Sequence, residues 1–275
     1  MVYRIRLVIA LLCFTLLLSC KEDEDPKLYS VFDIDSPQLG VTKTIWLYLP
    51  GDYSQSKKSY PVIYFSDAQW IFETNPNYSQ EMHVDEMMRD LEREGFDGAI
   101  VVGIESDEGT RHEDFSLFWN KNHLGGNGQA YLDFLTQTLK PKIDAEYRTQ
   151  SDRENTCIMG ASLGGLACFY ALTEYPDVFG KAALFSAALH FNADSVFSKA
   201  ARGEVRLDAK IFAVVGEQEF THLVNFPEDN QRLFDILKSK SRPPENLLLK
   251  IDADGEHKIW YWQREFPGAI QFLFQ

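Results

Sequence analysis

Thr156-Cys157-Ile158-Met159-Gly160-Ala161-Ser162-Leu163-Gly164-Gly165-Leu166 decides how this chain folds. A short apolar run of strand character leads into Gly-x-Ser-x-Gly. A helix-compatible stretch from Leu166 to Leu172 follows, and Tyr175-Pro176-Asp177 stops it. Strand, tight turn and helix in that order are the setting in which a serine is held in a strained backbone conformation with its hydroxyl exposed. Such a turn needs neighbours without bulk, and Gly160, Gly164 and Gly165 supply them. The same geometry aims the amide of Leu163, at the positive end of the new helix, toward negative charge developing beside Ser162.

Outward from that stretch, composition sets the frame. The chain has 275 residues, 45% hydrophobic and 13% aromatic, enough to bury the core of one α/β domain. With 27 basic and 41 acidic residues the formal charge is −14, which repels phosphate backbones and argues against nucleic acid as a partner. Residues 1–19 read as a signal peptide, with Arg4 and Arg6 ahead of the apolar run Leu7–Leu18, which is short for a bilayer span. Its end, Leu17-Leu18-Ser19-Cys20, resembles a bacterial lipobox. Cys20 is therefore the expected lipidation site, and the expected location is the bacterial cell envelope, with the lipid as the sole membrane contact. Cleavage there removes two positive charges and no negative ones, taking the formal charge from −14 to −16. Residues 20–27 form an acidic tether too polar to fold alone, and Lys21 followed by acids also resembles a surface-export signal. Residues 28–275 make up the folded domain. Within it, Cys157 and Cys168 flank the serine turn as small buried thiols, and no bridge between them is expected.

Strand-like runs at Tyr29–Ile34, Thr44–Leu49, Tyr60–Phe65, Ala99–Ile104, Ala182–Ser186, Ile211–Gly216 and Leu247–Ile251 alternate with helical patterns. The helices are expected at Glu81–Glu94, at Tyr131–Leu139 with a kink or restart at Pro141 before Ile143–Tyr147, and at Arg264–Phe274. This alternation implies a mostly parallel central sheet flanked by helices. The runs Ile45-Trp46-Leu47-Tyr48-Leu49-Pro50 and Tyr60-Pro61-Val62-Ile63-Tyr64, followed by Asp67-Ala68-Gln69, resemble the esterase D-like "putative esterase" family of α/β-hydrolases. That family includes enterochelin, feruloyl and acetyl-xylan esterases. The usual motif is Asp-Gly-Gln, so Ala68 is a departure that asks for a backbone tolerant of a Cβ. The resemblance implies an α/β-hydrolase fold and a second oxyanion donor in this loop, for which Gln69 is the candidate. Arg111-His112-Glu113-Asp114-Phe115 is similar to the family's Arg-x-x-acid-aromatic signature. Arg111 either anchors a substrate anion or pairs with Asp114 to fix its loop. Trp119, His190 and Phe191 are candidate pocket residues.

A serine hydroxyl needs an imidazole base, and the imidazole needs a carboxylate to hold its tautomer. In α/β-hydrolases these arrive as Ser, acid, His along the chain. Of six histidines, His83, His112 and His123 precede Ser162, and His190 and His222 lack a preceding strand and acid. His257, after the last strand, satisfies the order. Gly216-x-x-Glu219 matches the family's turn and nominates Glu219 as the acid, with Glu217, Asp229 and Asp254 as rivals. Asp252-x-Asp254-x-Glu256 lacks the continuation of a calcium loop, so neither metal nor cofactor is expected. The expected function is a serine carboxylesterase acting on feruloyl or acetyl groups of carbohydrates or on siderophore esters. The alternatives are acyl transfer and a non-catalytic ligand-binding lipoprotein.

Overall fold

Strands that run parallel must be joined by crossovers, and the apolar runs of this chain are spaced to allow a helix between most of them. The computed structural model describes residues 27–73, 80–120, 125–219, 224–240 and 242–275. The signal segment, Cys20 and all but the last residue of the tether lie outside the described residues, as do His123 and His222. The described strands are β1 (Tyr29–Ser36), β2 (Val41–Tyr48), β3 (Val62–Ser66), β4 (Ile100–Ile104), β5 (Thr156–Ala161), β6 (Lys181–Phe185), β7 (Lys210–Gly216) and β8 (Leu247–Asp252). They lie in one sheet in the order β1-β2-β4-β3-β5-β6-β7-β8. The β1–β2 hairpin is antiparallel, β2 is antiparallel to β4, and every other neighbouring pair is parallel.

The helices are α1 (Ala68–Ile71), α2 (Val84–Arg93), α3 (Arg111–Asp114), α4 (Gly128–Asp133), α5 (Lys140–Glu146), α6 (Leu163–Glu174), α7 (Ala193–Arg202), α8 (Phe226–Lys238) and α9 (Ile259–Phe274). They cover both faces of the sheet, which is why β3, β4 and β5 are buried along their whole length. Alternation along β2 divides its side chains between two cores. Ile45 and Leu47 join the core under α4 to α8, and Trp46 and Tyr48 the core under α1, α2 and α9.

The helix restarts at Pro141 as expected, and the closing helix differs from expectation, each for a local reason. Pro141 has no N–H for the carbonyl four residues back, and the turn before it, Phe134–Leu139, widens into a π-helix instead of stopping the chain. The closing helix starts at Ile259, five residues earlier than expected. Ile259, Tyr261 and Trp262 are buried against the sheet and extend its apolar face, and Pro267 sits inside it without ending it. Because β3 to β8 all point the same way, their C-terminal ends share one edge, and the chemistry-bearing residues collect there.

Candidate active site

The turn at Ser162 is as short as a strand-to-helix connection can be: β5 ends at Ala161 and α6 begins at Leu163. Ser162 sits at φ 58°, ψ −117°, a region non-glycine residues enter only when the surroundings hold them there. Those surroundings are explicit. The Ser162 amide donates to the Phe185 carbonyl at 2.8 Å, and its carbonyl accepts from the Ala188 amide at 2.9 Å. A Cβ at Gly160 would fall 2.5 Å from the Gly164 carbonyl carbon, and one at Gly164 would fall 2.3 Å from Ser66 Oγ. The glycines are thus needed for the approach of strand and helix. As the first residue of α6, Leu163 has no carbonyl within the helix for its amide to reach. Cys157 and Cys168, on either side, are free and buried, and burial pushes both thiols well up, so neither is a nucleophile at neutral pH.

Ser162, His257 and Glu219 come together although they are spread over 95 residues. Ser162 Oγ lies 2.9 Å from His257 Nε2, and His257 Nδ1 lies 2.9 Å from Glu219 Oε2. A carboxylate only accepts, so Nδ1 is the donor and Nε2 is left facing the serine hydroxyl. The Glu219 side chain is wholly buried. Its other oxygen accepts from Ser186 Oγ at 2.7 Å and from the Gly216 amide at 2.8 Å. Of the rival acids, Glu217 is exposed and Asp254 pairs with Arg264 at 2.7 Å, while Asp229 lies on α8. Asp252 is likewise drawn to Lys250, Arg264 and Tyr261.

The loop after β3 corrects one expectation. Arg111 pairs with Asp67, not Asp114: Nε reaches Oδ1 at 2.7 Å and Nη2 reaches Oδ2 at 2.8 Å, a two-pronged fork. Asp114 is instead taken by Lys43 at 3.0 Å in a buried ion pair. Asp67 Oδ1 also accepts from Ser106 Oγ at 2.5 Å, and Ser106 is bound in turn by the Gln69 side chain at 2.8 Å. The Gln69 side chain is therefore occupied within the loop, and its backbone lies in the first turn of α1. The backbone strain falls on Asp67, at φ 65°, and not on Ala68. The Ala68 methyl packs where a Cβ on residue 103 would be, 3.0 Å away, so Gly103 of β4 makes room for the departure from Asp-Gly-Gln.

A cavity of about 360 Å³ opens beside Ser162, lined by Trp70, Gln80, Arg111, His257, Lys258, Ile259 and Trp262. Of the expected pocket residues only Arg111 is in this wall. His190 and Phe191 lie on a 3₁₀ turn on the other side of the imidazole, where His190 meets Phe226 (ring centroids 5.0 Å apart) and Phe226 meets His257 (4.7 Å). Trp119 stands apart, 67% exposed and outside the cavity wall, because Ser116 and Asn120 tie its loop to Asn192 and Phe191 instead. Trp70, Phe226, Trp262 and Ser186 were not singled out in the sequence. The one local signal for Ser186 was its place directly after a buried strand. Among the described residues no cluster of His, Cys, Asp and Glu is arranged to hold a metal ion.

A mostly parallel sheet with a strained serine at the end of its central strand defines an α/β-hydrolase-type esterase, a carboxylic ester hydrolase. The chain belongs to the family described as "Putative esterase", whose model matches residues 36–273. Among curated relatives it is 25% identical over 235 residues to YbbA of Bacillus subtilis, covering 83% of this chain and 91% of that protein. It is 28% identical over 200 residues to the ferri-bacillibactin esterase BesA of Bacillus subtilis, covering 65% of this chain and 66% of BesA. Among solved structures, the enterobactin esterase FES from Shigella flexneri superposes with a TM-score of 0.73 at 19% identity, over 90% of this chain and 58% of that one. The chain thus spans under two thirds of the length of both siderophore esterases.

Proposed function

We propose that this protein is a serine carboxylesterase in which Ser162 is the nucleophile, His257 the base and Glu219 the acid. The run of hydrogen bonds Glu219–His257–Ser162, at 2.9 and 2.9 Å, carries the reading. His257 takes the hydroxyl proton as Ser162 attacks the ester carbonyl. The amides of Leu163 and Gln69 receive the oxyanion, and the fork between Arg111 and Asp67 keeps the Gln69 loop in place. Protonated His257 passes its proton to the leaving alcohol. Water then repeats the sequence on the acyl-enzyme and regenerates the free serine. The indoles of Trp70 and Trp262 in the cavity wall beside Ser162 suit an acid portion bearing an aromatic ring, as in feruloyl sugars and catecholate siderophore esters.

The esterase acts at the bacterial cell envelope, held by lipid on Cys20. The basic, apolar and lipobox-like segments of residues 1–20 support this. Hydrolysis of p-nitrophenyl acetate by wild type and Ser162→Ala tests the chemistry, and equal rates exclude it. Acid release from feruloyl sugars, acetylated xylan and ferric catecholate triesters ranks the substrates, and a preference for acetylated xylan removes the aromatic reading. Incorporation of labelled palmitate that survives Cys20→Ala removes the anchor at that residue.

A further inference from the structure

We infer that Ser186 is a positioning residue for Glu219, which it locks in the one orientation that presents an oxygen to His257. This rests on the triad proposed above and extends it to a residue outside it.

The need follows from the choice of acid. Glutamate reaches its partner through one more rotatable bond than aspartate, so its carboxylate has more orientations to lose before it can hold an imidazole. Glu219 is restrained through its second oxygen. Ser186 is completely buried at the C-terminal end of β6, with its amide bonded to the Val214 carbonyl at 2.7 Å, so its own place is set by the sheet. Its hydroxyl has a single hydrogen. The indole N–H of Trp262 donates into that oxygen at 2.8 Å, which leaves the hydroxyl hydrogen for Glu219 Oε1 at 2.7 Å. With the Gly216 amide on the same oxygen, Oε1 carries two donors and Oε2 is turned to His257. Trp262 also stands edge-on to the imidazole, at 5.1 Å and 89°. One indole therefore borders the base and orients the hydroxyl that holds the acid.

The backbone agrees with a site under constraint. Ser186 lies at φ 49°, and together with Asp67 (65°) and Ser162 (58°) it is one of three non-glycine residues at positive φ directly after β3, β5 and β6.

Steady-state kinetics on p-nitrophenyl acetate test the role with Ser186→Ala, Ser186→Gly, Trp262→Phe and the double variant Ser186→Ala/Trp262→Phe, alongside Ser162→Ala. Both Ser186 variants lose the hydroxyl, and glycine also relieves the positive φ. Loss of one charge-assisted hydrogen bond is expected to lower kcat by about tenfold in both, with KM within about twofold of wild type. The double variant is expected to be no slower than the slower single variant, because indole and hydroxyl act on the same carboxylate oxygen. A wild-type kcat in both Ser186 variants overturns the inference. So does a normal kcat in the glycine variant beside a slow alanine one, which would assign the effect to backbone strain. Should neither Ser186 variant fold, Trp262→Phe decides, since unchanged kcat there means the hydroxyl needs no direction. Failure of the triad itself reads out separately, as full activity in Ser162→Ala.

Discussion

Gly216→Ala places a methyl group where the turns carrying Glu219 and His257 cross. A Cβ on residue 216 would lie 2.1 Å from both the carbonyl carbon and the carbonyl oxygen of Gly255. Ordinary contact begins near 3.4 Å, so the two backbones must part by about 1.3 Å. Neither can yield by rotating a side chain. Gly216 begins the turn that ends at Glu219, and Gly255 lies two residues before His257, so the movement opens the acid–base hydrogen bond itself. Starting from 2.9 Å, that contact passes beyond 4 Å and ceases to be a hydrogen bond. Displacing a catalytic group by about 1 Å costs on the order of 10²-fold in rate, which is the expected fall in kcat. Overpacking adds about 2 kcal/mol of destabilisation, or about 6 °C in Tm for a domain of this size. Steady-state hydrolysis of p-nitrophenyl acetate and a thermal melt measure the two effects. The displaced turn also carries His257, Lys258 and Ile259 of the cavity wall, so KM is expected to rise as kcat falls. A variant with kcat within threefold of wild type and an unchanged melt would refute the reasoning.

Further outcomes follow from the same geometry. Gly268→Ala, in the middle of α9 with nothing within 4 Å of its new methyl, is expected to stabilise by about 0.5–1 kcal/mol and raise Tm by about 2 °C without altering kcat. Arg111→Lys keeps a charge but loses the fork on buried Asp67, so Tm and kcat should both fall, and a wild-type melt would show that the fork is dispensable. Cys157 and Cys168 should resist iodoacetamide at pH 8.5 in the native protein and react once it is unfolded, as mapped on peptides. Their thiols are pushed up by burial and stay protonated in the folded state, while the unfolded chain ionises above about pH 8.5. The unfolded state then holds fewer protons than the native one, so these groups lower stability as pH rises from about 9 to 11, measurable as a falling denaturation midpoint. A midpoint that rises over that range would contradict the burial of the thiols.

Amino-acid order alone determined the features that depend on near neighbours. Gly-x-Ser-x-Gly between a strand-like and a helix-like run named Ser162 and its backbone strain, because only small residues allow strand and helix to approach as Gly160 and Gly164 do. The parallel sheet followed from the spacing of apolar runs, and His257 from its place after the last of them. What tertiary structure decided was partnership. Arg111 meets Asp67, 44 residues away, instead of Asp114, three residues away, because β3 and β4 are neighbours and end side by side. Glu219 faces His257 while Glu217 faces solvent, since two residues along a tight turn reverse a side chain's direction. Ser186 reaches Glu219 through the adjacency of β6 and β7, and Trp119 is drawn out of the cavity by hydrogen bonds between its loop and the turn at Phe191. The small residues that permit the serine turn are local, although Phe185 and Ala188 hold its strained backbone from the end of the next strand and the turn after it. Which side chains touch across the sheet edge is governed by strand order, and that order appears only when the whole chain has packed.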